Sequence, residues 1–360
     1  MALKPFEPGA VERVLDRVEQ LFVPGRVRLH PFFQSAYAGG GFTLGAGYVQ
    51  HVSEYNTIDY RGSITFSGYK RIEAAFLAPR VFKRQGTFTL LGGWREATRV
   101  GFYGIGTEHT SVDDRANYSF RQPYAAAALE VRPAHTALLL LGGVEASRWS
   151  QGSAGGEQPS VDDVYTPETL QGLGSRVTYL HSHAGGGIDS RPSPGYARHG
   201  GAYTLVFHDF RDQDRRAGFR RTDYDAVQHI PIGRDTWVLS LHARLELANA
   251  GGGQTIPFFM LPALGGGSSL RGFSSWRFRD LNSLLMQADW RVLANRFLDM
   301  ALFYDAGRVS PRRSDLASGA LKSDYGVGFR LHGALVTPLR IDIAHGNEGF
   351  AIVFSSQAPF

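Results

Sequence analysis

The sequence predicts an all-β protein, a transmembrane antiparallel β-barrel of about sixteen strands with a short N-terminal amphipathic helix. Apolar and polar residues alternate with period two over segments of about ten residues, the length of a tilted strand that crosses a bilayer. The 360 residues include 44 Gly, 24 Phe and 15 Tyr, which suits tight turns and aromatic girdles at the membrane interfaces. No apolar run is long enough for a transmembrane helix.

The first predicted element is an amphipathic helix of about four turns. Pro24 and Gly25 end it. Its apolar residues, which recur at helical spacing, are Val11, Val14, Leu15, Val18, Leu21 and Phe22. The stripe is equally consistent with a helix that packs on a core and with one that lies on a membrane surface or plugs a pore. We therefore expect residues 1–26 to form an N-terminal segment and residues 27–360 to form one barrel domain.

Strand signals fill the rest of the chain, and the clearest lie in the C-terminal third. There Trp237, Leu239 and Leu241 alternate with polar residues such as Ser240 and His242. Similar segments begin at Leu284, Leu298, Tyr325, Leu339 and Phe350. Weaker candidates are 27–37, 41–51, 57–67, 69–79, 86–98, 117–131, 136–149, 173–184, 200–211 and 218–230. The total is even, and short and long connections alternate in the second half of the chain, except at 184–200. Both features are typical of bacterial barrels.

Four short motifs occur in order within this pattern. The segment 102–106 reads F-x-G-x-G, a Gly-rich approach leads to Leu270, Arg271, Gly272 and Phe273, the segment 303–307 reads F-x-D-x-G, and the chain ends at Phe360. Together they resemble the BamA/TamA outer-membrane assembly superfamily, including its bacterial surface-antigen branch, over residues 27–360. The resemblance implies a bacterial outer-membrane location with both termini in the periplasm. It also implies that the terminal Phe360 is a membrane-insertion signal.

The resemblance further implies a role in outer-membrane protein insertion or translocation, or in outer-membrane biogenesis. The expected partners are outer-membrane lipids and lipopolysaccharide, together with unfolded outer-membrane client proteins. Relatives carry polypeptide-transport-associated (POTRA) domains before the barrel. About 26 residues precede the first predicted strand, too few for such a domain. Either these domains have been removed from the chain or the chain belongs to a branch that never had them, and the predicted helix at 9–22 favours the second. The alternatives are a non-enzymatic protein that perturbs lipid or maintains its balance, and a plugged diffusion pore.

Alternation assigns several residues to the polar, lumen-facing side of the strands. These are Asp289, Phe303, Asp305, Gly307 and Asp342. A long loop that carries Arg271 could fold into the barrel, where its guanidinium would meet the carboxylates and stack on Phe303. Alternatively, Arg271 and Gly272 form an ordinary external turn.

Other groups of residues give weaker evidence for a functional site. His181 and His183 share one face of a predicted strand, a spacing that can bind a metal, but the sequence identifies no third ligand. We therefore expect neither a metal nor a cofactor. No G-x-S-x-G nucleophile motif is present, and we expect no enzymatic activity. The formal charge of +5 fits solvated basic loops, and we expect no nucleic-acid partner.

Overall fold

The computed structural model describes residues 27–108, 111–333, 336–358 and 360. Within them, sixteen strands form one antiparallel sheet in which each strand pairs with the next one along the chain. The strands of this sheet are β1 (Leu29–Pro31), β2 (Thr43–His51), β3 (Thr57–Thr65), β4 (Lys70–Arg80), β5 (Gly86–Phe102), β6 (Ala116–Val131), β7 (Leu138–Ser153), β8 (Arg176–Asp189), β9 (Gly200–Asp212), β10 (Phe219–Ile232), β11 (Arg234–Ala250), β14 (Asn282–Asn295), β15 (Leu298–Ser310), β16 (Lys322–Leu331), β17 (Leu339–Gly346) and β18 (Gly349–Ser355). The predicted number of strands is confirmed.

Two further strands, β12 (Ala263–Leu264) and β13 (Phe278–Arg279), pair with each other outside the main sheet. The helical turns are short: α1 (Val81–Arg84), α2 (Val161–Val164) and three 3₁₀ turns at Pro133–His135, Phe258–Met260 and Arg313–Leu316. No helix among the described residues is long and apolar enough to cross a membrane. The predicted helix at 9–22 lies outside the described residues.

The two faces of the sheet have opposite chemistry, as the alternation predicts. In β11, Trp237 and Leu241 are 38% and 41% exposed, whereas Ser240 and His242 are 1% and 7% exposed. The apolar side chains therefore face outward and the polar ones face the enclosed interior. This arrangement suits a wall whose outer solvent is lipid.

The connections differ between the two ends of the sheet. The long connections 103–115, 154–175, 251–281 and 311–321 share one end. The opposite end has short turns such as 296–297, with 190–199 as a longer exception. Because the number of strands is even, β1 begins and β18 ends at the end with short turns.

Buried aromatic side chains close the end with the long connections. Phe102, Tyr118, Trp149 and Tyr179 lie at the ends of successive strands and pack in one cluster with Phe258, which comes from the connection 251–281. Rings meet edge to face at this point, with 4.9 Å between the centroids of Tyr118 and Phe258. Segment 251–281 therefore packs inside the sheet.

The strands at the two ends of the sheet are its shortest. The predicted strand at 27–37 shortens to β1, and the backbone then turns through Gly39 and Gly41, whose φ angles are +90° and +76°. β18 has seven residues. Within the described residues, β1 pairs only with β2 and β18 only with β17, so no hydrogen-bonded ladder joins these two strands.

Candidate functional site

The connection between β11 and β14 enters the interior and carries the predicted motif loop. Its small hairpin of β12 and β13 brackets residues 265–277. Gly265 and Gly266 turn the chain with φ angles of +114° and +93°, which an L side chain rarely adopts. The Gly266 N–H then donates to the carbonyl of Leu270 at 3.0 Å. This turn holds Arg271 against the inner face of the sheet.

Arg271 is fully buried and is surrounded by carboxylates from three strands. Its Nε and Nη2 atoms donate to the two oxygens of Asp305 at 2.7 and 2.6 Å. Nη2 also donates to Asp289 at 2.7 Å, and Nη1 donates to Asp342 at 3.3 Å. The structure thus brings together the loop arginine and all three carboxylates that strand parity assigned to the lumen.

An aromatic ring completes the surroundings of this guanidinium. The Cζ atom of Arg271 lies 3.6 Å from the centroid of the Phe303 ring, a cation–π contact in a desolvated place. Burial lowers the pKa of Arg271, but the Asp289 and Asp305 carboxylates raise it well above the usual value. The arginine is therefore held in its charged form.

Further arginines balance the carboxylates, and the sequence analysis did not assign them a role. Arg330 donates to Asp289, and its Nη2 lies 3.5 Å from Asp342. Arg340 Nε lies 3.3 Å from Asp342, and its Nη2 donates to the Gly267 carbonyl at 2.6 Å. Three guanidinium groups thus face three carboxylates on β14, β15 and β17, and the loop is tied to the wall through both charge and backbone.

Two neutral or acidic neighbours extend this network. Gln287 donates to the carbonyl of Ser269 at 2.7 Å and to Asp305 at 3.0 Å, and so connects β14 to both the loop and the carboxylate. Asp324 is buried and stands directly across the strand pair from Asp305. Two carboxyl groups side by side repel when both are charged, and the nearby guanidinium of Arg271 reduces that repulsion.

Gly272 is needed because the loop presses closely on the wall. A Cβ atom at this position would stand 2.6 Å from the Cβ of Asp324 and 3.0 Å from the backbone nitrogen of Gly346. Phe273 packs edge to face on Phe278, with 5.2 Å between ring centroids. Leu270 lies in the same buried cluster. Gly307 leaves comparable space in the wall, since a Cβ there would lie 2.9 Å from Leu264 Cδ1.

Two more arginines fix the rest of the connection 251–281. Arg279 is fully buried and donates to the hydroxyl of Tyr118 at 2.9 Å, across the interior on β6. Arg277 donates to Glu348 at 2.8 Å, in the turn between β17 and β18. The loop is therefore anchored on widely separated parts of the sheet through its arginine side chains.

The remaining predicted site residues lie elsewhere. The ring of Phe360 stands 5.0 Å from the ring of His242, whose side chain is buried, and its role as an insertion signal stays a prediction. The helix residues Val11 to Phe22 lie outside the described residues. His181 and His183 face the interior of the sheet, where a third histidine, His208, joins them. The sequence analysis missed this third histidine because it belongs to the neighbouring strand.

Comparisons with known proteins agree with this geometry. Residues 213–348 match the Omp85 superfamily domain, and this range contains the arginine of the loop and the three carboxylates. The structure is similar to BamA from Haemophilus ducreyi lacking POTRA domains 1–3, with a TM-score of 0.65 and 13% identity over 97% of this chain and 78% of that one. A search of curated protein sequences finds no match.

Two CdiB proteins are also similar in structure. CdiB from Escherichia coli matches with a TM-score of 0.58 and 13% identity, over 92% of this chain and 59% of that one. CdiB from Acinetobacter baumannii matches with a TM-score of 0.56 and 10% identity, over 97% of this chain and 69% of that one. At these identities the likeness concerns the fold.

Proposed function

We propose that this chain is a barrel of the BamA/TamA type and that it inserts or translocates proteins at the bacterial outer membrane, since residues 213–348 match the Omp85 superfamily domain and the fold is similar to that of BamA. The observation that carries the proposal is a loop buried against the inner face of the sheet together with two short edge strands, β1 and β18, whose contact we call the seam. A loop buried in the interior fits a protein that acts on its clients at the barrel wall. It does not suit a diffusion pore.

The seam between β1 and β18 is the part of the wall best suited to receive a client strand. β1 has three residues and β18 has seven, whereas β5 and β11 each have seventeen. A short strand forms few ladder hydrogen bonds, so the contact between β1 and β18 would be the weakest in a closed barrel. An edge with free N–H and C=O groups can pair with an incoming client strand.

The outer face of β18 supports the same proposal. Phe350, Ile352 and Phe354 are 79%, 62% and 66% exposed, and all three point away from the interior. Lipid covers such side chains in the resting barrel. A client strand that pairs with this edge would present its own apolar face to the same lipid layer.

We place the rest of the molecule accordingly. The barrel closes in the membrane between β1 and β18, the short turns and both termini lie in the periplasm, and the long connections face outward. The helix at 9–22 lies on the periplasmic leaflet with its apolar stripe in the lipid. The protein has no enzymatic role, and its partners are unfolded barrel clients and the surrounding lipids and lipopolysaccharide.

A reconstitution experiment tests this function. The purified chain is placed in liposomes, an unfolded eight-stranded barrel protein is added, and client folding is followed by heat-modifiable gel mobility. We expect faster client folding than in empty liposomes and in liposomes that hold a simple porin at the same density. Equal rates in all three preparations would refute the proposal.

A further inference from the structure

Three histidines form a compact cluster on the lumen face of two neighbouring strands. His181 and His183 lie on β8, and His208 lies on β9 directly opposite His183. One ring nitrogen from each residue lies within 4.8 Å of the others. We propose that this cluster is a binding site for a divalent transition-metal ion of the Zn²⁺ class, for which imidazole nitrogen is a preferred ligand.

The closest pair already has nearly the separation that a shared ion requires. His181 Nε2 and His208 Nδ1 are 2.9 Å apart. Two nitrogens bound to one tetrahedral zinc at about 2.0–2.1 Å each would stand about 3.3 Å apart. A small rotation of the two rings therefore turns a hydrogen-bonded pair into a chelating one.

The surroundings orient His208 for binding. Its Nε2 lies 3.1 Å from Asp223 Oδ2 on β10, and a carboxylate there accepts the Nε2 proton. The lone pair is then on Nδ1, the atom that faces His181. A carboxylate behind a ligating histidine is the usual support of a metal site, because it fixes the tautomer and makes the ligand more basic. Arg221 holds Asp223 through two hydrogen bonds of 2.8 Å.

The other two rings are also held in place. The ring of His181 stacks on Phe210, with 4.0 Å between centroids and 1° between planes. The Nε2–H of His181 donates to His208 in the metal-free state, and the ion replaces that proton, which moves to Nδ1 of the same ring. His183 Nδ1 is buried and has no hydrogen-bond partner among the described residues.

The neighbouring strand leaves space for His183. Gly143 on β7 stands opposite His183, and a Cβ atom there would lie 2.7 Å from Cε1 of the His183 ring. Glu145, which is opposite His181 on the same strand, adds a negative charge on this side. Three imidazoles with acidic neighbours favour a dication, and the fourth coordination position stays open to water or to a small anion from the lumen.

Zinc titration of the full chain in detergent tests the site. The protein is first treated with EDTA, and bound Zn²⁺ is measured by competition with a chromogenic chelator. We expect about one ion per chain, a tenfold or greater loss of affinity for His208→Ala and a roughly 10–100-fold loss for Asp223→Asn. His135→Ala, in an exposed turn between β6 and β7, is the matched control and should bind as the unaltered chain does.

A second readout separates binding from folding. Bound Zn²⁺ should raise the temperature at which the unaltered chain loses its heat-modifiable gel mobility, because a ligand of the folded state stabilises it. Gly143→Ala, which changes no ligand, should reduce this shift by displacing the His183 ring. No binding below millimolar zinc, or equal binding by a folded His208→Ala variant, would overturn the proposal.

Discussion

Arg271 and Asp305 meet side on, with Nε and Nη2 of the arginine donating to the two carboxylate oxygens at 2.7 and 2.6 Å. One residue lies at the tip of a long loop and the other in the middle of β15, and both are fully buried. A parallel pair of charge-assisted bonds of this kind depends on the planar fork of the guanidinium. The contact fixes the position of the loop in the lumen, and the first predictions test it.

The first prediction concerns the shape of the cation. Arg271→Lys should destabilise the barrel almost as much as Arg271→Ala, because an ammonium group cannot reach Asp289 and Asp305 together. Removal of one partner from a buried ion pair costs about 3–5 kcal/mol. The measurement is the temperature of unfolding by heat-modifiable gel mobility. A lysine variant as stable as the unaltered chain would show that charge alone matters.

The second prediction concerns coupling between the two residues. Arg271→Ala and Asp305→Ala combined should destabilise the barrel less than the sum of the two single substitutions. Each single substitution leaves the charge of the remaining partner buried and unpaired. Arg271→Ala combined with Asp59→Ala is the control, since Asp59 on β3 pairs with His30 and not with Arg271. Equal additivity in the two double variants would mean that Arg271 and Asp305 act independently.

The third prediction concerns Gly272. Gly272→Ala should lower the free energy of unfolding by about 1–3 kcal/mol, because the new methyl group overlaps Asp324. Gly252→Ala is a matched control in the same connection, since a Cβ at Gly252 meets nothing within 4 Å. If both substitutions have the same effect on unfolding, the loop does not press on the wall.

The fourth prediction concerns conductance. The intact chain should give a small, flickering current in planar bilayers, and deletion of residues 264–276 should enlarge it by opening the lumen. Deletion of residues 155–158, which are exposed in the connection between β7 and β8, should leave the current unchanged. A large and steady current through the intact protein would instead favour a diffusion pore.

The fifth prediction concerns the helix at 9–22. Leu15→Glu should withdraw this segment from lipid, because it places a charge in the apolar stripe. The chain has no Cys, so a fluorescent label on a single cysteine introduced at Ala10 reports on this segment alone. Gln20→Glu adds the same charge on the polar face and should change little. If the label on the unaltered chain reports an aqueous environment, the helix does not lie on the membrane surface.

Most of the fold could be predicted from local sequence. The predicted strand segments overlap all sixteen strands of the sheet, because one face of each strand meets lipid and the other meets the interior. The same parity assigned Asp289, Asp305 and Asp342 to the lumen. The predicted bounds were wrong for the first strand, because β1 ends at Pro31 and a glycine-rich turn follows. There local backbone preference outweighs the pattern of apolar residues.

Contacts between strands could not be predicted in this way. Arg330 has the correct parity, but its pairing with Asp289 depends on how β14 and β16 lie on either side of β15, which local sequence does not show. Arg340 lies two residues from Asp342 on the same face of β17, so parity alone could have found that pair. His208 was missed for the same reason as Arg330, since it meets His183 only through the pairing of β8 with β9. A search for histidines of lumen parity on adjacent strands would have found it.

A disulfide across the seam tests the proposed function most directly. One cysteine in β1 and one in β18 would lock the contact between these strands, and a second pair at Ala344 and Ala351, already neighbours in the ladder of β17 and β18, is the control. Client folding in liposomes is measured before and after reduction. We expect the oxidised seam to stop client folding, reduction to restore it and the control pair to have no effect. Undiminished folding with the seam locked would contradict insertion through this part of the wall.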